Sequence, residues 1–354
     1  MKIHVISETD MVMKATGVHT AYLDHVELLR QDKSLQVVIN NEGRGDIFHS
    51  HTYGPYYLIK GIGYRGRRVF TAHVIPDSIK GSLPFWKLFF PFVRLGLKLI
   101  YSYADVCIAI SPDVERAIID SGARTRIVRI NNPVHPDTWK RTEEMRSEGR
   151  KILGVGEDDF VVLGVGQVIG RKGVDEFIEI SERLPGAKFI WAGGRPFGKL
   201  TEGIKRIDEK FAYAGKNLFK AGPFDISEMP RIYAAGDLLL FTSYQENCPL
   251  TPIEAAASGM PVIFRDLPEY RSLYENPYLK ASDKDEFVFL TMRMMNDRDF
   301  YEEGLRISQR LLYQFDKDKI RETLKKLYWE LRVNSTMESI SGRSAKKLQI
   351  DYQV

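Results

Sequence analysis

The sequence predicts an α/β protein made of two Rossmann-like, doubly wound domains, and three observations support this fold class. The chain has 354 residues, which is more than one hydrophobic core usually covers. Strand-like apolar runs alternate with helical stretches along its whole length. These runs are continuous in Val, Ile and Leu, which is typical of parallel strands covered by helices on both faces.

The individual elements follow from the same patterns. Strands are predicted at residues 2–8, 35–40, 46–50, 67–73, 104–111 and 125–131 in the first half, with helices at 19–31 and 111–122. In the second half, strands are predicted at 160–166, 188–194, 217–222, 237–243 and 261–266. The polar, proline-containing segment 131–150 predicts the domain boundary. We therefore expect an N-terminal domain at 1–145, a C-terminal domain at 150–312, a terminal helix at 313–333 and a tail at 334–354.

The composition is that of an ordinary globular protein, with 44% hydrophobic and 28% charged residues. Two cysteines, Cys107 and Cys248, suit a reducing cytoplasm, and the N-terminus has no signal-peptide pattern. Residues 1–150 hold 21 Lys and Arg against 16 Asp and Glu, together with all seven histidines. This asymmetry indicates an anionic partner for the first half, but the excess is too small to predict nucleic-acid binding.

Two glutamates, Glu246 and Glu254, lie on either side of a turn between an apolar strand and an Ala-rich helix, in "YQENCPLTPIEAAASG". Ligands of doubly wound sheets bind at the carboxyl ends of strands. The first N–H groups of the helix favour a phosphate, and the carboxylates can accept hydrogen bonds from sugar hydroxyls. The alternative is a helix start that carries acidic residues because the dipole favours them.

A second candidate site lies in "VLGVGQVIGRKGVDEF", where Arg171 and Lys172 follow a strand. Two cations at a strand end can neutralise a diphosphate and stabilise it as a leaving group. The alternative is a solvated pair of charges at a helix start.

Metal ligands are not predicted. His49, His51 and His73 lie at strand ends, but they lack the Cys or carboxylate partners of a zinc site. A single His at such a position is usually a satisfied structural group. Three Asp-x-Asp pairs fall at helix ends and predict helix caps rather than cation ligands: Asp283 with Asp285, Asp297 with Asp299, and Asp316 with Asp318.

The stretch "ENCPLTPIEAAASGMPVI" resembles the E-x7-E motif of family-4-type retaining glycosyltransferases, which have the GT-B fold. "GQVIGRKG" resembles the family's G-R-x4-K-G stretch, with Lys172 at the lysine position. Gln167 stands where the family usually has Arg, and Arg171 is a candidate to replace that charge. The resemblance covers nearly the whole chain. It implies two domains facing a cleft, a donor site in the second domain and a terminal helix that crosses back to the first.

The resemblance also implies residue roles. Glu246 is expected at the donor sugar, Lys172 at the leaving diphosphate and Glu254 at the ribose. His73 matches the family's His near the transferring sugar, so His73, Glu246 and Lys172 are the expected catalytic residues. The other expected donor contacts are Gly17, Gln167, Arg171, Gly194, Pro223, Phe224, Leu250 and Thr251. The implied donor is a nucleotide-diphospho-hexose, UDP-glucose or UDP-galactose, as substrate, with no cofactor and no metal.

The segment 80–105 predicts a basic amphipathic helix. On a helical wheel, the basic residues Lys80, Arg94 and Lys98 fall within about 20° of Lys87. They lie opposite an apolar surface of Trp86, Phe89, Phe92, Leu97 and Ile100. Such a surface can lie on an anionic bilayer. A core-covering helix with snorkelling cations is an equal alternative, and Pro84 and Pro91 are expected to interrupt the helix.

A narrower resemblance concerns "HVIPDS", "GQVIGRKGVDEF" and "FIWAGG", which are similar to bacterial enzymes that glycosylate diacylglycerol or monoglycosyl-diacylglycerol. It implies a hexosyltransferase with a membrane lipid acceptor, cytoplasmic and peripheral on the inner face of the cytoplasmic membrane. One alternative is a soluble, cell-wall or polysaccharide-precursor acceptor. Another, raised by Gln167, is a non-catalytic sugar-nucleotide-binding protein.

Overall fold

The computed structural model describes residues 1–12, 17–52, 54–80, 86–195, 204–274 and 278–341. Two compact units are present. The first comprises Met1–Asp77 and Phe89–Pro133 and resumes at Asp316, and the second comprises Ser78–Leu88 and Val134–Phe315.

The first unit contains a parallel six-stranded sheet in the order β2-β1-β3-β4-β5-β6. Its strands are β1 (Lys2–Ile6), β2 (Gln36–Ile39), β3 (Ile47–Ser50), β4 (Arg67–Ala72), β5 (Val106–Ala109) and β6 (Arg126–Arg129). Every described residue of β3 and β5 is buried, as expected for strands covered on both faces.

The helices of this unit are α1 (Thr9–Val12), α2 (Gly17–Arg30), α3 (Pro55–Lys60), α5 (Pro112–Asp120) and α15 (Lys317–Ser341). Helix α4 (Trp86–Tyr103) begins in residues assigned to the second unit. The terminal helix α15 packs on the sheet with α2, and buries Leu324 and Tyr328 against Val26 and Ile3 in one hydrophobic core.

The second unit contains a parallel sheet in the order β12-β11-β10-β7-β8-β9. Its strands are β7 (Val161–Val165), β8 (Lys188–Ala192), β9 (Leu218–Gly222), β10 (Leu238–Phe241), β11 (Val262–Arg265) and β12 (Leu279–Ala281). Counted within the unit, this is the doubly wound order 3-2-1-4-5-6. The order reverses between β7 and β10, which are hydrogen-bonded neighbours.

The helices of the second unit are α6 (Pro136–Trp139), α7 (Glu143–Leu153), α8 (Val174–Arg183), α9 (Ile204–Tyr213), α10 (Met229–Ala235), α11 (Thr251–Ala257), α12 (Pro268–Leu273), α13 (Lys284–Asn296) and α14 (Arg298–Arg310). Thus the segment 131–150, expected to be a polar boundary, holds α6 and most of α7. Arg150 on α7 is fully buried and donates to Asp237 at 2.7 Å and to the Asp159 carbonyl at 3.0 Å. Helix α7 is therefore integrated into this unit.

All eleven predicted strands are confirmed, but a twelfth, β12, was missed. It has three residues, Leu279–Ala281, of which only Ala281 is buried. So short a run gives no apolar pattern in the sequence.

Helix α4 differs from its prediction in two respects. It continues through Pro91, because the Lys87 carbonyl that loses its helical partner belongs to an exposed residue and can be hydrated. In addition, the predicted apolar surface is divided: Leu97 and Ile100 are buried in the first unit, as the core-covering alternative predicts, whereas Phe89 and Phe92 are exposed. The rest of the expected interruption, at Pro84, lies outside the described residues. Across the ranges that the structure describes, none of the helices is both long and apolar enough to span a bilayer.

Candidate active site

The main group of predicted site residues lies where the order of the second sheet reverses. The loop after β7 forms a short 3₁₀ helix, Gly170–Lys172, and the loop after β10 carries Glu246. Because β7 and β10 are parallel neighbours, their carboxyl ends place both loops together. Crevices at such reversal points are where doubly wound sheets bind ligands.

Two glycines make this edge of the sheet possible. Gly173, between the 3₁₀ helix and α8, has φ +72°, and a Cβ there would collide with the Thr242 carbonyl. Gly193, after β8, has φ +154°, and a Cβ there would collide with the Gly166 carbonyl. Only glycine allows the β7, β8 and β10 loops to approach one another this closely.

The site residues of these loops form an ion pair. Lys172 Nζ donates to Glu246 Oε1, and Arg171 Nη1 lies 3.6 Å from Glu246 Oε2. Arg171 also donates to the backbone carbonyl of Gln245 at 2.5 Å, which ties the two loops together. Only 15% of the Lys172 side chain and 9% of the Glu246 side chain are accessible. The pair is thus a strongly interacting one with little access to water.

Burial and pairing act in opposite directions on these groups. Burial lowers the pKa of Lys172 below its ordinary value, and Arg171 adds to the effect, while Glu246 opposes it. Burial pushes the pKa of Glu246 upward, but Lys172 and Arg171 hold it below its ordinary value. The ionised carboxylate is therefore kept by its two cationic neighbours.

Glu254 has a different setting. It lies in the first turn of α11 and is buried, and its Oε2 accepts a hydrogen bond of 2.6 Å from the Tyr233 hydroxyl. Burial raises the pKa of Glu254 to about 7, although the hydrogen bond from Tyr233 lowers it in part. The two carboxylates of the motif therefore differ in charge state near neutral pH.

The remaining predicted donor residues of this unit lie in loops at the same edge. Gly194 follows β8, and a Cβ on it would lie 3.0 Å from Pro223, so these two are adjacent. Phe224 follows Pro223 after β9, and Gln167 lies in the loop after β7. Leu250 and Thr251 begin α11, with Leu250 at the cap position and Thr251 as the first helical residue.

A supporting cluster was not predicted. Arg265, at the end of β11, is buried, pairs with Glu176 on α8 and donates to the Thr242 carbonyl at 3.0 Å. Its guanidinium also stacks 4.1 Å from the ring centre of Tyr244, two residues before Glu246. This cluster fixes the loop that carries Glu246.

The first unit carries two of the predicted catalytic and donor-binding residues, Gly17 and His73. Gly17 is the exposed first residue of α2, and a Cβ there would meet nothing within 4 Å. His73, after β4, is buried, and its Nε2 lies 2.9 Å from His51 Nδ1. Burial lowers the pKa of His73 to about 3, so the ring is neutral.

Two further buried histidine rings lie beside this pair, and we call His25, His49, His51 and His73 the histidine cluster. The Tyr328 hydroxyl on α15 lies 2.6 Å from His49 Nδ1 and 3.1 Å from His25 Nε2. Thr71 Oγ1 lies 2.7 Å from His49 Nε2. The cluster therefore includes a hydrogen-bonded chain that joins α2, β3, β4 and α15.

The cluster also contains a group that could hold a metal ion, since His25, His49 and His51 have ligand atoms within 4.8 Å of one another. Both ring nitrogens of His49, however, are hydrogen-bonded to the hydroxyl groups of Tyr328 and Thr71. The arrangement thus favours the hydrogen-bonded network over metal ligation.

The helix-cap prediction is confirmed, because Asp283, Asp297 and Asp316 accept hydrogen bonds from backbone N–H groups at the starts of α13, α14 and α15.

Known families match both halves of the chain. Residues 145–303 match the family described as glycosyl transferases group 1, and residues 17–138 match glycosyltransferase family 4. The chain is 32% identical to the alpha-galactosylglucosyldiacylglycerol synthase of Streptococcus pneumoniae, over 81% of this chain and 78% of that protein. It is 26% identical to the processive diacylglycerol alpha-glucosyltransferase of Acholeplasma laidlawii, over 94% and 98%.

Solved structures show the same fold. The HepE protein of Anabaena, in complex with UDP and glucose, superposes with a TM-score of 0.75 over 93% of this chain and all of that one, at 18% identity. The architecture is therefore that of the GT-B glycosyltransferases. Given the match of both halves and the identity to a relative across most of both chains, this protein belongs to the family-4, group 1 glycosyltransferases.

Proposed function

We propose that the protein transfers a hexose from a UDP-linked donor to diacylglycerol or to a monoglycosyl-diacylglycerol, with retention of anomeric configuration. The observation that carries this proposal is the similarity, over most of both chains, to two relatives whose names state synthesis on diacylglycerol lipids. The similar fold of a protein that binds UDP and glucose supports the donor class.

The second unit offers a suitable donor site. Transfer breaks the bond between the anomeric carbon and a phosphate oxygen and forms a bond to the acceptor hydroxyl oxygen, whose proton passes to the leaving diphosphate. Lys172 and Arg171 would neutralise the leaving diphosphate, and this stabilises charge that develops in the transition state. Glu246 would accept hydrogen bonds from hexose hydroxyls, and Glu254 from the ribose.

Lys172 and Glu246 pair with each other in the protein alone. A bound donor would replace this contact by two others. Its phosphate would pair with Lys172, and its sugar hydroxyls would donate hydrogen bonds to Glu246. A nucleoside diphosphate without the sugar supplies only the first of these replacements. We therefore expect the site to discriminate in favour of the intact donor.

A membrane surface for the acceptor is offered by α4. Leu88, Phe92, Leu95 and Leu99 lie on one side of the helix and are 69%, 72%, 58% and 56% exposed. Lys87, Arg94 and Lys98 are exposed beside this row. An apolar row flanked by cations fits an anionic bilayer, where the apolar side chains enter the interface and the cations meet lipid phosphates. We propose peripheral binding to the inner face of the cytoplasmic membrane through α4.

The acceptor is tested with purified lipids. Labelled UDP-glucose and UDP-galactose are incubated with the protein and vesicles that contain diacylglycerol or monoglucosyl-diacylglycerol, and the products are identified by mass spectrometry. Glycosylated lipid is the expected product, and Lys172→Ala should abolish it. Sugar transfer only to water-soluble acceptors would support a soluble acceptor instead. Donor binding without any transfer would indicate a sugar-nucleotide-binding protein.

The membrane surface is tested by flotation with phosphatidylglycerol and phosphatidylcholine vesicles. Phe92→Glu with Leu99→Glu should abolish binding to the anionic vesicles without loss of folding, because both side chains are exposed. Ile119→Glu on α5, at a residue of similar exposure (58%), is the matched control and should bind normally. Equal binding of all three proteins would contradict the assignment of α4.

A further inference from the structure

The residue that holds Glu254 lies outside the sequence motif. Tyr233 is fully buried on α10, and its hydroxyl donates to Glu254 Oε2 at 2.6 Å. Among the described residues, no other hydrogen bond reaches this carboxylate. Oε1 is therefore the oxygen left for a ligand.

The ring of Tyr233 is held firmly. The indole of Trp139 on α6 packs edge-on against it, with ring centres 5.4 Å apart. Helix α10 also packs closely on α7, where a Cβ on Gly149 would collide with the Arg231 carbonyl. A ring fixed by two neighbouring helices fixes the direction of its hydroxyl, and a fixed hydroxyl fixes the carboxylate that it contacts.

The contact also acts on the charge of Glu254, by opposing in part the effect of burial. Burial alone would keep this carboxyl protonated, and a protonated carboxyl donates one of the hydrogen bonds that a carboxylate would accept. The hydrogen bond from Tyr233 favours the ionised form. Tyr233 is the one titratable group, among the described residues, whose influence on the pKa of Glu254 is resolved. Lys172 and Arg171 act instead on Glu246.

We propose that Tyr233 is a positioning residue for the donor, which holds the Glu254 carboxyl in one orientation through Oε2 and leaves its Oε1 to accept a hydrogen bond from the nucleotide ribose. This inference rests on the proposed function, since it needs a nucleotide-sugar at the site. It adds a residue on α10, thirteen positions before the first glutamate of the motif. Its effect should appear in donor binding rather than in the chemical step, because the ribose is remote from the bond that breaks.

The test is Tyr233→Phe, which removes only the hydroxyl. At pH 7 the KM for the UDP-sugar should rise about tenfold, with kcat little changed, because a charge-assisted hydrogen bond no longer supports the carboxylate. The defect should shrink as the pH is raised to 9, where Glu254 ionises without help. Tyr301→Phe is the matched control, because it removes a hydroxyl that donates to the Asp237 carbonyl at 3.0 Å, and its KM should be unchanged.

A double variant separates positioning from a structural role. If Tyr233 acts through Glu254, adding Tyr233→Phe to Glu254→Gln should change the donor KM no further. A KM defect that persists in the Glu254→Gln background, or that is the same at every pH, would overturn the positioning role and leave the proposed function standing. If Glu254→Gln itself left the donor KM unchanged, the donor-site assignment would fall together with the role of Tyr233.

Discussion

At the residue scale, Lys172 and Glu246 neutralise each other in a setting from which water is largely excluded. Such pairs rarely stabilise a protein more than apolar residues of the same size would, because both charges lose their hydration. The nearby Arg171 adds a second positive charge beside Glu246. The pair is therefore better explained by binding of a charged, hydroxyl-rich ligand than by stability.

This interpretation predicts that stability and activity can be separated at the pair. Lys172→Met should lower the free energy of unfolding by about 3–5 kcal/mol, because Glu246 loses its closest cationic partner while buried. Lys172→Met with Glu246→Leu should recover most of that loss and still lack transferase activity. Chemical denaturation and donor turnover measure the two effects.

The control for this prediction is Arg231→Met, which breaks a half-exposed pair with Glu148 and should change the free energy of unfolding by less than about 1 kcal/mol. A Lys172→Met protein as stable as the parent, or a double variant as unstable as the single one, would contradict the prediction.

The sequence predicted the site residues in loops that follow strands. It did not predict the residues that hold those site residues in place. Glu246 and Lys172 are charged residues in loops directly after apolar strands, where ligands of such sheets bind. The structure places the two side chains in contact. Tyr233 and Arg265 were missed. A Tyr on an apolar helix and an Arg at a strand end have ordinary structural explanations, and only the packing of α10 and of β11 gives each its partner.

At the element scale, α15 completes the core of the first unit although it comes last in the sequence. Leu324 and Tyr328 are 1% and 0% exposed and pack with residues of β1 and α2. Arg126 on β6 donates to Glu330 at 2.6 Å, and Lys325 pairs with Asp32 at 2.9 Å. The fold of this unit therefore depends on a helix that the chain supplies only after the second unit.

Substitutions on α15 should consequently destabilise the first unit. Leu324→Ala should cost about 2–5 kcal/mol through the cavity that it leaves, and Tyr328→Phe about 1–3 kcal/mol, since His49 and His25 lose their hydroxyl partner. Hydrogen exchange followed by mass spectrometry should show faster exchange in peptides of β1–β6. The exposed Lys319→Ala on the same helix should leave exchange unchanged. Faster exchange in β7–β12 instead would refute this role of α15.

Predictions of secondary-structure elements succeeded where the apolar pattern was long. They failed where the pattern was short, or where a helix had apolar residues on two faces. Eleven strands were predicted from segments of five to eight residues that contain apolar side chains, whereas the three-residue β12 is too short to give such a pattern. Helix α4 is apolar on two faces, so its sequence could not show which face is buried. The structure exposes Phe92, which belongs to the predicted apolar surface, but buries Leu97 and Ile100 of that surface and exposes Leu99 instead.

At the scale of the whole molecule, strand order was out of reach of the sequence. Periodicity predicts strands but not which strands pair, and the proximity of the β7 and β10 loops depends on a pairing between residues more than 70 positions apart.

The structure also changes the interpretation of the histidines in the first half of the chain. The sequence groups these histidines with the basic residues of the first half. In the structure, the four histidines of the histidine cluster are buried, their pKa values are lowered, and they carry no charge near neutral pH.

The histidine cluster predicts that the first unit is sensitive to acid. Burial lowers the pKa of His25 and of His73 to about 3, and those of His49 and His51 well below the ordinary value of 6.5. Above pH 6.5 these rings are neutral in both the folded and the unfolded chain, so stability does not change. As the pH falls from 6.5 towards 3, the unfolded chain binds protons that the folded unit excludes. Each such histidine then lowers the free energy of unfolding by about 1.4 kcal/mol per pH unit.

Hydrogen exchange at pH values between 8 and 5, corrected for the intrinsic exchange rate, measures this effect in each unit separately. Protection should fall below pH 6.5 in peptides of β1–β6, where the cluster lies. It should not fall in peptides of β7–β12, because Glu254, whose pKa burial raises to about 7, binds a proton in the folded unit before the unfolded chain does and so adds stability as the pH falls towards 5. The contrast between the units supplies the control, since general acid effects act on both. Equal loss of protection in both units, or none in the first by pH 5, would show that the cluster accepts protons without unfolding.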